Sequence, residues 1–101
     1  MKVYKGERTI DGLVVTVDDE PLDPRFDLKE ISLDGFEWTY EGPAPEQLAL
    51  ALLADHFGDD QKALAHYPVF MREVVANFEN EWEMTSEDID AVFADLGIDA
   101  A

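Results

Sequence analysis

GPAPEQLALALLADHFGDD, residues 42–60, decides the fold. Its run from Leu48 to Ala54 is apolar nearly all round. A helix through it has no polar face to turn to water, so it belongs in the middle of a domain rather than on its surface. Pro45 suits the first helical position, Glu46 sits at the positive end of the dipole, and Gly58 offers a left-handed stop. The expectation is a central helix over about 45–57.

Working outward, the first forty residues read as β. LVVTV, residues 13–17, is β-branched and apolar, and the preceding Asp11-Gly12 favours a tight turn, which pairs the run with residues 2–10 in a hairpin. DDEPLDP, residues 18–24, reads as turn and loop, and Asp34-Gly35 as a second turn. FEWTY, residues 36–40, alternates Phe36, Trp38 and Tyr40 with Glu37 and Thr39, the period of a half-buried strand.

Beyond residue 58 the pattern is helical. Asp59 or Asp60 can cap a helix over about 60–79, whose Leu64, Tyr67, Met71, Val74, Val75 and Phe78 recur at three- and four-residue steps. Pro68 predicts a kink or restart, because it removes the amide that would bond the carbonyl of residue 64. Thr85 and Asp88 have the spacing of a capping box, Met84 and Ile89 that of a hydrophobic staple, and a third helix follows over about 86–96. IDAA, residues 98–101, reads as a tail. The sum is a single α+β domain over 1–101, with a small antiparallel sheet of about three strands within 2–40 packed against three helices.

The chain is extreme in charge: 24 acidic against 7 basic residues, net −17. Residues 1–50 carry 12 acids and 5 bases (net −7), residues 51–101 carry 12 acids and 2 bases (net −10). Phosphate recognition needs clustered Lys and Arg, so direct nucleic-acid or anionic-membrane binding is excluded as an expectation. No window is long and apolar enough to span a bilayer, and MKVYKGERTI, residues 1–10, lacks the apolar run of a signal peptide. There is no cysteine, hence no disulfide, thiolate metal site or cysteine nucleophile. These features together predict a cytoplasmic setting.

Tyr4, Gly6, the run Asp34-Gly35-Phe36-Glu37-Trp38, Tyr40, Gly42, Pro45, Gln47-Leu48-Ala49-Leu50 and Trp82 form a pattern that resembles a family of small domains of unknown function found in bacteria, archaea and mobile elements. The likeness covers most of the chain. Thr39 and Ala44 stand where that pattern has glycines. The resemblance supports the domain limits and implies no activity.

Candidate chemistry is thin. Asp55, His56, Asp59 and His66 match no compact metal-ligand spacing, and no acidic loop has the twelve-residue calcium pattern with a central glycine and terminal glutamate. No nucleophile motif or phosphate-cradling loop occurs, so neither an enzyme nor a cofactor is expected. The sharper expectation concerns NFENEWEMTSEDID, residues 77–90. Its Glu79, Glu81, Glu83, Glu87, Asp88 and Asp90, with Asp59 and Asp60 as a second cluster, predict a non-catalytic acidic module. Such a module would engage a basic protein surface, in its narrowest form as a nucleic-acid mimic inhibiting a host defence complex of the CRISPR or restriction type. Two rivals stand beside it. One is a housekeeping domain adapted to high salt, for which low Lys and high Asp content are sufficient reason. The other is a small-ligand pocket beside Trp38 and Tyr40.

Overall fold

In the computed structural model, which describes residues 2–33 and 35–97, the apolar stretch is helix α1, Pro43–Phe57. It starts two residues earlier than predicted, because Pro43 as well as Pro45 tolerates the amide-free first turn. Gly58 closes it at φ 64°, donating to the carbonyl of Ala54 at 3.2 Å. Every residue from Gln47 to Ala54 is buried, as the absence of a polar face requires.

Among the described residues the sheet has four strands, one more than predicted, in the order β3-β2-β1-β4: β1 Val3–Thr9, β2 Gly12–Val17, β3 Glu20–Pro21 and β4 Trp82–Thr85, all antiparallel. The β1–β2 hairpin turns at Ile10-Asp11 with Thr9 opposite Gly12. Gly12, at φ 118°, supplies the positive φ on leaving the turn. Asp18 and Asp19 both adopt positive φ, 49° and 71°, and so form the two-residue turn that leads β2 into the two-residue β3. The expected turn at Asp34-Gly35 falls partly on Asp34, which lies outside the described residues; Gly35 has φ 93°. The predicted tail 98–101 also lies outside them.

The strand expected at Phe36–Tyr40 is not one, and this corrects the sequence reading. Thr39 sits at φ 82°, which breaks the alternation: Trp38 is fully buried while Tyr40 is 47% exposed. The segment meets its hydrogen-bonding demand outside any ladder. The Glu37 carboxylate accepts from the Trp38 amide at 3.0 Å, the carbonyl of Val75 accepts from the Thr39 amide at 3.2 Å, and Arg8 reaches the Trp38 carbonyl at 3.4 Å. The fourth strand comes instead from residues 82–85, which the sequence reading placed in a connection between helices.

Between β3 and α1 the described residues, 22–33 and 35–42, form no helix or strand, and one side chain of α1 organises the first part of this crossing segment. The Gln47 amide, fully buried, accepts from the amides of Ile31 (2.8 Å) and Ser32 (3.1 Å) and donates to the carbonyls of Pro24 (2.7 Å) and Lys29 (3.2 Å). A primary amide has two donors and two acceptor lone pairs, and here all four are used.

Helix α2, Asp60–Glu73, is capped by the Asp59 carboxylate, which accepts from the Lys62 amide. It runs through Pro68 as one element instead of restarting, with Pro68 on its exposed side. It also stops six residues before the predicted end. Val74 leaves helical geometry, the Asn77 side chain bonds the Glu73 carbonyl at 3.1 Å, and a 3-10 turn, Val75–Asn77, follows. Helix α3, Ser86–Asp95, carries the predicted capping box between Thr85 and Asp88. Phe93 of α3 joins the three helices, stacking with Phe70 of α2 and tilted against Phe57 of α1.

The sheet turns Tyr4, Gly6, Val15, Trp82 and Met84 inward. Gly6 is obligatory there, since a Cβ would lie 2.3 Å from the Trp82 indole. That indole stacks on Phe78 and meets Trp38 edge-on. The Tyr4 hydroxyl donates to Asp55 of α1 at 2.7 Å, tying β1 to the central helix. Burial first, then the Asp55 hydrogen bond and charge, raise its pKa far above the ordinary phenol range. No helix among the described residues is long and apolar enough to cross a membrane.

Candidate functional site

The carboxylates divide by whether they have work inside the molecule. Glu37 takes both arms of Arg8, at 2.7 and 3.1 Å, and this hydrogen bond, with the guanidinium charge, holds its pKa below the usual carboxylate value. Arg25 chelates Asp27 and reaches Asp60 at 3.1 Å, and Asp27 is lowered chiefly by its hydrogen bond to Arg25. Lys2 bonds Asp55 at 3.1 Å.

The eight residues singled out from sequence have different surroundings in the fold. Asp59 and Asp88 cap helices, Asp60 is held by Arg25, and Asp90 accepts or shares a hydrogen bond with His56 Nε2 at 2.8 Å. Glu87 is exposed in the first turn of α3, where it complements the helix dipole. Glu79, Glu81 and Glu83 remain. All three are exposed, and only Glu83 has a cation nearby, Lys5 at 3.8 Å with both side chains more than half exposed.

Strand register brings Glu81 and Glu83 together with residues the sequence reading did not select. The outward residues of β1 are Val3, Lys5 and Glu7, and those of β2 include Val14 and Thr16. Lys5 lies between Thr16 and Glu83, and Glu7 lies beside Val14. The β1–β4 register ends at Gly6 and Trp82, with Glu81 just before β4 and Glu7 the next outward residue of β1. Glu7, Asp19, Glu81 and Glu83 thus line one depression of about 550 Å³ on the outer face of the sheet, with Lys5 the one cation among the lining residues and Val14 an apolar spot, 42% exposed. A second depression, about 320 Å³, adds Asp18 beside Asp19 and Glu83.

Spacing gives this face its electrostatic weight. Spread evenly over the 5560 Å² surface, the 24 acids would be about 15 Å apart, beyond the screening length of about 10 Å at 0.1 M salt. On this face Glu81 and Glu83 are two residues apart in sequence, at most about 6.6 Å along extended backbone, and Glu7 and Asp19 line the same depression. Alternation along β1 was the signal for Glu7; a turn was read at residues 18–24, but not the positive φ that aims Asp18 and Asp19.

The other sequence candidates are placed elsewhere. Trp38 is sealed in the core, its Nε1 donating to the Asn80 carbonyl at 3.2 Å and its face covered by Arg8, while Tyr40 points to solvent. Neither lines the depressions of about 550, 330 and 320 Å³. Of the residues weighed as metal ligands, Asp55 serves Tyr4 and Lys2, His56 faces Asp90, Asp59 caps α2, and His66 packs edge-on against Phe57 and Phe93.

The model of DUF6166, a family of unknown function, matches residues 4–95, and the chain belongs to that family. No curated protein and no solved structure gives a significant match.

Proposed function

We propose that this domain is a non-catalytic binding module whose outer sheet face engages a basic protein surface. The observation that carries the reading is the like-charge juxtaposition of Glu7, Glu81 and Glu83, with Asp19 beside them and Lys5 the one cation lining the same depression. Carboxylates gathered this closely repel one another, and the exposed Lys5–Glu83 pair at 3.8 Å offsets only part of that repulsion. A cationic partner would turn it into attraction and accelerate encounter. A groove that ordinarily holds nucleic acid is one surface of this kind, and the nucleic-acid mimic is the narrowest form of the proposal.

Charge reversal of Glu79, Glu81 and Glu83 tests it. The triple variant should keep the circular dichroism and unfolding midpoint of the parent, because all three side chains are exposed. It should also lose binding to basic proteins recovered by the parent at moderate salt. Undiminished recovery by the triple variant contradicts the proposal.

The salt-adapted reading draws support from exposed acids on other elements: Glu30 and Glu41 in the crossing segment, Glu87 and Asp95 on α3. It predicts that unfolding free energy rises steeply into molar KCl and that no basic partner is retained.

A further inference from the structure

We infer that a lysine- or arginine-rich segment of the partner adds to the sheet as a fifth strand along β4; this rests on the basic-partner reading above and specifies its mode. The direction of the backbone groups follows from the register. The Ser86 amide donates to the Lys2 carbonyl at 3.0 Å, and bonded pairs alternate along an antiparallel ladder. Met84 and Trp82, opposite Tyr4 and Gly6, therefore bond β1. The other side of β1 agrees, since the Asp18 amide donates to the Val3 carbonyl, which assigns the odd residues of β1 to β2.

Glu83 consequently presents its N–H and C=O away from β1. β4 ends the sheet, and among the described residues no strand or loop backbone bonds to this edge. Thr85 closes it at one end, because its amide is bound by Asp88 at 3.0 Å. The opposite edge of the sheet is blunted: β3 has two residues, and its Pro21 has no amide to offer.

Charge selects the occupant. A second copy would bring Glu83 and Glu81 against another −17 chain. An extended cationic segment would instead place alternate side chains on the outer face beside Glu81 and Glu83, with Glu7 one strand further in. Main-chain bonds to Glu83 would give affinity, and the carboxylates would choose Lys or Arg.

The test uses the full chain and an acetylated ten-residue peptide alternating Lys and Thr, against the same peptide N-methylated at alternate residues, which keeps charge but cannot complete a ladder. The parent peptide should bind saturably, slow hydrogen exchange at the Glu83 amide at least tenfold, and bind at least tenfold more tightly than the methylated one. Glu83→Pro should weaken binding by a similar factor, and Glu83→Gln only a few-fold. If both peptides bind equally, or Glu83 exchange is unchanged, strand addition is refuted while the acidic-face reading stands. If neither peptide binds saturably, both readings fall.

Discussion

Replacing Gln47 tests the fold where one side chain holds the most backbone. In Gln47→Leu the volume is nearly kept, but the amides of Ile31 and Ser32 and the carbonyls of Pro24 and Lys29 lose their partner. Each such bond contributes about 0.5–1.5 kcal/mol net, and a buried group left unpaired costs about 1–3 kcal/mol. Lys29 is exposed and the other three residues are half-buried, so water reclaims part of the loss. The expected destabilisation is about 2–4 kcal/mol, a large share of the roughly 5–15 kcal/mol available to a domain this size. Urea unfolding followed by circular dichroism measures it. Limited trypsin digestion localises it, because Arg25 and Lys29 both lie in the crossing segment that Gln47 pins. Gln47→Glu, which sets a carboxylate against two carbonyls, should be worse than Gln47→Leu at pH 7 and recover as the pH falls and the carboxyl gains a proton to donate. An unchanged urea midpoint together with unchanged resistance at Arg25 and Lys29 would refute the assignment of Gln47 as the anchor.

Gly6→Ala drives a methyl into the Trp82 indole at 2.3 Å and should cost about 1–3 kcal/mol, read as a lower thermal midpoint and altered tryptophan fluorescence. Thr39→Gly should stabilise by about 0.5–1 kcal/mol, since a β-branched residue at φ 82° is strained and glycine is not; a lower urea midpoint would contradict it. The Arg8–Glu37 pair gives a pH dependence with a definite sign. Because the folded pKa of Glu37 is depressed, its contribution is complete above the unfolded carboxylate value of about 4.3 and fades as pH falls through the folded value. Both side chains are about 30% exposed, so solvent screening limits the contribution to under about 1 kcal/mol. The stability gap between the parent and Glu37→Gln should therefore be small at pH 7 and shrink as pH falls below the unfolded carboxylate value.

The helices were legible because their signals are local. The apolar run 48–54, the left-handed Gly58, the Asp59 cap and the Thr85–Asp88 box each act within a few residues, and each recurs in the structure. The sheet was legible only where a hairpin made it local, at Gly12. β4 pairs with β1 across some eighty residues, and its four residues run straight into α3, so the helix cap at Thr85 masked the alternation of Trp82 and Met84 with Glu83. Phe36–Tyr40 misled for the opposite reason. Its alternation is real in sequence, but positive φ at Thr39 turns Tyr40 outward. Gln47 gave no sign of its role, because a polar residue in an apolar helix is explained only by a segment that folds over it. Of the candidate site, Glu81 and Glu83 could be selected from composition, whereas Glu7 and Asp19 join them only through register and turn geometry.

Two triple variants with the same net charge test the central claim most directly: Glu7, Glu81 and Glu83 to Lys on the sheet face, and Glu30, Glu41 and Asp95 to Lys in the crossing segment and on α3. Affinity for one basic partner, or for the Lys-Thr peptide, is measured for both at the same ionic strength. A specific acidic face predicts that the first variant loses at least tenfold and the second at most two- to threefold. Equal losses in the two would show that net charge, and no particular face, governs binding.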